Sequence, residues 1–396
     1  MFENIPQAAP DPILGLTEVY NADPNPEKIN LGVGIYQDEQ GKTPVLTSVK
    51  RAEDLILKQE QSKSYLPIPG SPDYAKAVQT LLFGEDSALR SEGRLFTAHT
   101  PGGTGALRVA GEFLKTKTDA DTVWLTVPTW PNHGPIFQAA GMKVETFAWF
   151  NAETHSFDAD AALAAIEQIP EGDVIVLHGC CHNPTGCDPT AEQWRQIAEA
   201  VSRRGLMPVM DFAYQGFATG IEEDAVGLRI VAEVCPELII CSSFSKNFGL
   251  YRERTGAVTF VTKDADTQGR LASQAKLVVR TNYSNPPSHG GSIVATIFSD
   301  QELIAQWHED LKEMRERLNG MRSLLVSNMA SLQSARDFSF VEQQRGMFSM
   351  LGLSKEQVAE MGEKHSIHMV GSSRINLAGL STSNIERFCQ ALASVL

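Results

Sequence analysis

Short apolar runs recur through the middle of the chain, VWLTV, VETFAW, VIVLH, MPVMD and LIIC, with helical stretches between them. A β-branched run of this length that stops at small polar residues reads as a buried strand. Strand alternating with helix demands crossover connections between parallel neighbours, so the chain is expected to form an α/β fold around a mostly parallel, doubly wound sheet. Ligands of such sheets sit outside the carboxyl ends of the strands. VWLTV runs into PTWPNH, VIVLH into GCCHNPTG, MPVMD into FAYQGF and LIIC into SSFSK. Four strand ends therefore carry Trp130, Asn183, Asp211 with Tyr214, and Lys246.

Lys246 lies in SSFSKNFGLYRERTG, flanked by Ser242, Ser243 and Ser245 and followed by Arg254. Most lysines are solvated surface groups. Here a nearby cation or partial burial would favour the neutral amine, the form that attacks a carbonyl to give an imine. Asp211 ends a strand one strand–helix–strand period earlier. A carboxylate buried there needs a permanent cationic partner, because an isolated buried charge is prohibitively costly. A pyridinium nitrogen would serve: the aspartate keeps the ring protonated and electron-accepting while the lysine holds its aldehyde. HTPGGTGALRVAGEFL reads as a glycine-rich turn opening a helix, whose N–H groups at Gly103, Thr104 and Gly105 form an anion site. With Ser243 and Arg254 it would hold the phosphate of the same cofactor, and Trp130 offers a flat face for stacking. Plainer readings exist for each: Asp211 as a helix cap, Trp130 as core, Arg254 in a surface ion pair, GGTG as a tight turn. Their coincidence at strand ends favours function.

The remaining chain frames this centre. Its polar, Pro-rich first dozen residues read as an arm, and Gly32 and Gly34 in NLGVGIY suggest a close backbone approach to a ligand or another chain, or a bulge. Thr47 to about Gln59 reads as a charged helix, LPIPGSPDY as a turn before another helix, and PTAEQWRQIAEAVSRRG as a helix with Pro189 near its start and Gly205 as its stop. After GAVTFV come the helical DADTQGRLASQAKLVVR, a loop at NYSNPPS, the helical GGSIVATIFS and a long linking helix from Gln301 to about Leu332. FSFVE, MFSMLGLS and SRINLAG are strand candidates beside helices at LSKEQVAEMGEKH and SNIERFCQALASV, an α+β pattern. The expected division is an arm over 1–12, small-domain portions over 13–46 and 313–396, and a large domain over 47–312.

Composition narrows the function. A chain of 396 residues with 42% hydrophobic content buries a large core, and a net charge of −14 speaks against nucleic acid or an acidic membrane surface as partner. MFENIPQAAPDP has neither a basic nor an apolar leader segment, and no run is long enough to span a bilayer, so a cytoplasmic protein is expected. Cys180, Cys181, Cys187, Cys235, Cys241 and Cys389 form no C-x-x-C pair and no disulfide framework. They read as small core residues in a reducing compartment, with no metal site.

NLGVGIY, TPGGTGAL, HGCCHNPTG, DFAYQGF, SFSKNFGLYRERTG, NYSNPP and SSRIN together resemble the motifs of the pyridoxal-phosphate-dependent fold-type I aminotransferases, in the branch that aspartate and aromatic aminotransferases share. The resemblance runs from about Asp11 to the C-terminus. It implies a seven-stranded, mostly parallel large domain with a smaller α+β domain, pyridoxal 5'-phosphate as cofactor, and a homodimer with shared active sites. Lys246 would form the imine and then act as base and acid in the proton shift. Asp211 would pair with the pyridine nitrogen, backed by His133, while Tyr214 and Asn183 hold the phenolic oxygen and Trp130 stacks on the ring. Gly103, Thr104, Ser243, Ser245 and Arg254 would bind phosphate, joined by Tyr65 from the partner subunit. Arg374 would fork onto the substrate α-carboxylate and Arg280 would reach the distal carboxylate from the partner, with Gly34, Trp130 and Asn183 also against substrate. Two guanidinium clamps select a dicarboxylic amino acid, so transfer from L-aspartate to 2-oxoglutarate is expected, with aromatic amino acids as the alternative. Ser373 stands where many relatives have glycine and Arg252 where they often have a smaller polar residue, whereas Thr104 and Asn285 resemble the aspartate branch. A pyridoxal-phosphate-binding regulatory module would need a basic DNA-binding segment that this acidic chain lacks, and a nicotinamide-linked dehydrogenase would need a G-x-G-x-x-G after the first strand.

Overall fold

The apolar runs assemble into one sheet. A computed structural model describes residues 1–7 and 14–396; the expected arm over 1–12 falls partly outside the described residues, as does the boundary at residue 13. The main-sheet strands are β1 (Leu95–Pro101), β2 (Thr122–Val127), β3 (Lys143–Ala148), β4 (Val174–His178), β5 (Met207–Phe212), β6 (Leu238–Ser243) and β7 (Thr255–Val261). They lie in the order β1-β7-β6-β5-β4-β2-β3, and β7 alone runs against the other six. The seven-stranded, mostly parallel α/β sheet expected from the sequence is thus present.

Burial on both faces explains why the inner strands read as unbroken apolar runs. Val174 and Val176 of β4 face a core layer that includes Leu107 and Val109 of α1 (Gly102–Lys117). Ile175 and Leu177 point to the opposite layer, as a two-residue side-chain period requires. That second layer holds Trp194 and Ile197 of α2 (Ala191–Arg203), while Ala275 and Val279 of α3 (Ala265–Asn282) join the first. β1 carries no such run. Its LFTAHTP mixes Thr and His among apolar residues, and these are accommodated inside: Thr97 Oγ1 and Thr259 Oγ1 bond at 3.0 Å and Gln79 Nε2 donates to Thr97 at 3.1 Å.

Local chemistry sets the ends of elements. α2 begins at Ala191 rather than near Pro189, because Thr190 and Gln193 form a reciprocal capping box. Its stop is as expected: Gly205 follows Arg204 with φ +63°. The linking helix α4 (Gln301–Ser331) is capped by Asp300, which accepts from the Glu302 and Leu303 N–H groups. FSFVE is no strand. Asp337 accepts both N–H and O–H of Ser339, which tightens Ser339–Gln343 into a 3-10 turn with Phe338 and Val341 buried. NLGVGIY contributes only Asn30 to a strand, the pair Ile29–Asn30 with Ile367–His368. SRINLAG is extended over Arg374–Asn376 alone, paired with Phe348–Met350, before the Asn376 side chain accepts from Ala378 N–H and starts another 3-10 turn. All six cysteines are buried and free. No helix among the described residues is long and apolar enough to cross a membrane.

The turn after β5 depends on Asp224. Its Oδ2 accepts from Gly216 and Ala218 N–H at 2.8 and 2.9 Å and its Oδ1 from Thr219 and Gly220 N–H at 2.9 and 3.3 Å. An amide would turn two N–H hydrogens toward these donors. Asp224→Asn is expected to destabilise the fold by about 2–3 kcal/mol, against about 1 kcal/mol for removal of the α2 cap in Thr190→Ala, as read by urea denaturation.

Candidate active site

The strand ends open onto one cavity, with about 890 Å³ of empty space including its mouth. Lys246, Asp211, Tyr214, Asn183 and Trp130 line it, arriving from the ends of β6, β5, β4 and β2 as the sequence implied. Of the other anticipated residues, Gly34, Gly103, Thr104, Ser243, Ser245, Arg254 and Arg374 also line it. Among the cavity's other lining residues, Leu107, Tyr251 and Phe348 escaped sequence reasoning. Tyr251 sat in a motif already singled out; Phe348 reaches the cavity only through the pairing of its short strand with Arg374–Asn376.

Burial would neutralise both Lys246 and Asp211, and different neighbours decide the outcome. For Lys246, burial dominates and the guanidinium groups of Arg254 and Arg374 add to it, against the attraction of Asp211; the ammonium pKa falls from 10.5 to about 8. The Nζ lies 4.8 Å from the centroid of the Tyr214 ring. Burial also pushes the Asp211 carboxyl up, but a hydrogen bond from His133 and the nearby Lys246 charge outweigh it and hold Asp211 below the ordinary carboxylate value.

A file of hydrogen bonds fixes the proton positions behind Asp211. The Asn183 N–H donates to His178 Nδ1 at 3.2 Å, so His178 donates from Nε2 to Thr129 Oγ1 at 3.1 Å. Thr129 Oγ1 in turn meets His133 Nδ1 at 2.8 Å, and His133 Nε2–H donates to Asp211 Oδ2 at 2.9 Å. His133 is wholly buried, edge-on to Trp130 at 5.3 Å. The anticipated backing of Asp211 by His133 is present, and it ties Asn183 into the same network.

The anion cradle is equally specific. Pro101 caps α1 without a side-chain hydrogen bond, and no acidic residue occupies the first turn, so the leading N–H groups are left for a ligand. A β-carbon on Gly102 would stand 2.4 Å from Arg254 Nη2, and one on Gly103 2.9 Å from Ser243 Cβ; only glycine lets the helix approach these groups. Opposite, Arg374 is buried without a carboxylate partner among the described residues. Its Nη2 donates to Gly32 O at 2.6 Å and Nη1 to Asn183 Oδ1 at 3.4 Å, its Cζ lies 4.2 Å from the Phe348 ring centroid, and Nε is unpaired. Ser373, where many relatives have glycine, adopts φ +61° and accepts from Gly352 N–H at 3.0 Å. A left-handed conformation accounts for a glycine preference there.

Tyr65 and Arg280 lie elsewhere. Tyr65 is 92% exposed, and Arg280 is exposed near the end of α3, where it donates to Ser284 Oγ. Arg252 is also exposed, and nothing in the structure explains its identity. Behind the site, Cys180, Cys181 and Asp224 gather ligand atoms within 4.8 Å, but both Asp224 oxygens are already committed to four backbone N–H groups.

The chain matches the family model "Aminotransferase class I and II" over residues 26–392. It is 52% identical to the aspartate aminotransferase of Salmonella typhi over 396 residues, covering 100% of each. It is 44% identical to an aromatic-amino-acid aminotransferase of Pseudomonas aeruginosa, covering 100% of this chain and 98% of that one. A crystal structure of the aromatic-amino-acid aminotransferase from Burkholderia pseudomallei, covalently bound to pyridoxal phosphate, superposes with a TM-score of 0.98 at 44% identity over 100% of this chain and 99% of that one.

With Lys246 neutral above its pKa of about 8, trapping of an added aldehyde at this residue by borohydride is expected to rise with pH through a midpoint near 8. Surface lysines should follow their ordinary value of about 10.4. Arg254→Met removes a cation and should move the midpoint up; Asp211→Asn removes an anion and should move it down. Mass-spectrometric counting of the Lys246 adduct against pH measures both.

Proposed function

The chain belongs to the class I and II aminotransferases, and on that premise we propose that it moves the amino group of L-aspartate to 2-oxoglutarate, giving oxaloacetate and L-glutamate, with pyridoxal 5'-phosphate as cofactor. The observation that carries this reading is the meeting in one cavity of the Lys246 amine, of Asp211 bonded to His133, and of Arg374, buried with no carboxylate partner among the described residues. The donor set suits the cofactor: an uncapped helix N-terminus with Ser243, Ser245 and Arg254 for a phosphate, a carboxylate for a ring nitrogen, and the Trp130 indole for a ring face. When bound, pyridoxal phosphate supplies a carbonyl for condensation with amines and a ring that stores electrons.

The residues then divide the work. Asp211, kept ionised by His133, would hold a proton on the ring nitrogen, while Tyr214 and Asn183 would donate toward the ring's phenolic oxygen. Arg374 receives the substrate α-carboxylate through donors that no protein carboxylate occupies. Lys246 would hold the cofactor through its carbonyl carbon until the substrate amine takes its place; its neutral Nζ would then take the proton from the substrate α-carbon and deliver it to that cofactor carbon, water releasing the first oxo acid and leaving the amino group on the cofactor. Because it must be unprotonated for this, its depressed pKa is part of the chemistry. A second oxo acid reverses the sequence, giving ping-pong kinetics.

In this reading the enzyme works as a cytoplasmic homodimer, in which Tyr65 and Arg280 of the single chain, exposed and away from the cavity, complete the partner's site. Residues 47–312 form the large domain, and 13–46 with 313–396 the small one. A second reading, activity toward aromatic amino acids, is supported by the apolar patch that Leu107, Tyr251 and Phe348 bring to the cavity, and by the 0.98 TM-score to an aromatic enzyme.

Addition of L-aspartate to the reconstituted protein is expected to convert the absorption of the bound cofactor to that of its amino form, and addition of L-phenylalanine reports the breadth. Lys246→Ala should lower turnover by at least about a hundredfold. Arg374→Leu should cost about 3 kcal/mol of transition-state binding, roughly two orders of magnitude in kcat/KM for aspartate. Retained turnover in Lys246→Ala would sink the assignment.

A further inference from the structure

The segment from Gly32 to Tyr36 brings Gly34 to the cavity wall, near the Phe348 ring, yet it lies in neither helix nor sheet. Side chains hold it. Asn30 Oδ1 accepts from Gly32 N–H at 3.0 Å, Arg374 Nη2 donates to Gly32 O at 2.6 Å, and Asn376 Nδ2 donates to Val33 O at 2.6 Å and to Ile35 O at 2.7 Å. At the far end the Tyr36 N–H donates to the phenol oxygen of Tyr251 at 2.8 Å. Of these tethers, only Tyr251 belongs to the loop that follows Lys246. It joins the substrate wall to the segment bearing the reactive amine, across a sequence separation of 215 residues.

We propose that Tyr251 is a positioning residue for the amino-acid substrate: by accepting the Tyr36 N–H it sets how closely the Gly34 wall stands to the Lys246 amine. The inference rests on the aminotransferase reading above for its substrate, but the tether itself does not. Tyr251 is half-buried, and desolvation pushes its phenol far above the ordinary value, so the hydroxyl stays neutral and its oxygen serves as acceptor at every working pH. A phenylalanine in its place keeps the ring in the cavity wall and leaves the Tyr36 N–H unpaired. The wall then loosens, which weakens substrate binding while the amine, Asp211 and the anion cradle keep their partners.

Tyr251→Phe tests this directly on the holoenzyme. The expected result is a KM for L-aspartate raised about fivefold, the effect of one lost hydrogen bond, with kcat within about twofold of the parent. Hydrogen exchange at the Tyr36 amide should be faster, and the cofactor spectrum unchanged. Asn376→Ser releases the Val33 and Ile35 carbonyls from outside the cavity and should give the same split between KM and kcat. The proposal is overturned if Tyr251→Phe leaves the Tyr36 amide exchange or the KM unchanged, or lowers kcat at fixed KM. It is also overturned if Asn376→Ser accelerates exchange over residues 32–36 without raising KM, since the phenol would then act by its own contact with the ligand. Should the parent protein fail to turn over aspartate, the functional reading fails, while the exchange measurement still decides the tether.

Discussion

One lysine amine must be neutral while a carboxylate in the same cavity stays ionised, and burial acts against the second as strongly as it helps the first. Hydrogen bonding resolves the conflict. Asp211 accepts from His133, whereas the nearest aromatic face to Lys246 offers its cation only a weak attraction. The file from Asn183 through His178, Thr129 and His133 therefore does more than orient one ring. It allows the fold to bury both groups and still leave them in opposite protonation habits.

Holding that pair in place draws in elements far from the cavity. Trp307 of α4 donates from Nε1 to the Asn247 carbonyl at 2.8 Å, and its indole stacks on Phe248 with 4.5 Å between centroids. The two residues after Lys246 are thus pinned by the helix that leads to the C-terminal segment. Asp224 pins the turn after Tyr214 in the same way, through four backbone donors. The reactive loop ends are irregular, as ligand-binding loops are, but Trp307, Phe248 and Asp224 behind them are buried and hold them by specific contacts.

The strand ends were legible because inner parallel strands are buried on both faces and so announce themselves as apolar runs with sharp polar ends. β1 was not, since only the folded chain supplies the Thr259 hydroxyl that meets Thr97 and the Tyr74 ring that packs on the buried His99. FSFVE misled for the opposite reason: its alternation mimics a strand, while Asp337 makes a local turn cheaper than pairing. The core of the site could be read residue by residue from motifs at strand ends. Phe348 and Tyr251 could not, because what brings them to the cavity is a strand pairing and a contact across most of the chain. Tyr65 and Arg280 owe their expected roles to resemblance alone, and in the single chain they face outward.

The two arginines proposed to meet substrate are held to different tolerances. Arg374 is buried, braced by Gly32 O, Asn183 and the Phe348 ring, and part of a strand. A guanidinium so confined presents a nearly fixed fork, which suits a carboxylate that every amino acid possesses. Arg280, on the proposed assignment, meets the distal carboxylate from a helix end where it is exposed and has rotamers to choose from. A rigid clamp for the invariant group and a movable one for the variable group lets a single cavity favour dicarboxylates without excluding a large apolar side chain: an arginine that can swing back to water does not leave a buried charge unpaired. On that assignment, a change of preference between the two substrate classes would turn on how firmly one exposed arginine is held, with the buried groups around Lys246 left as they are.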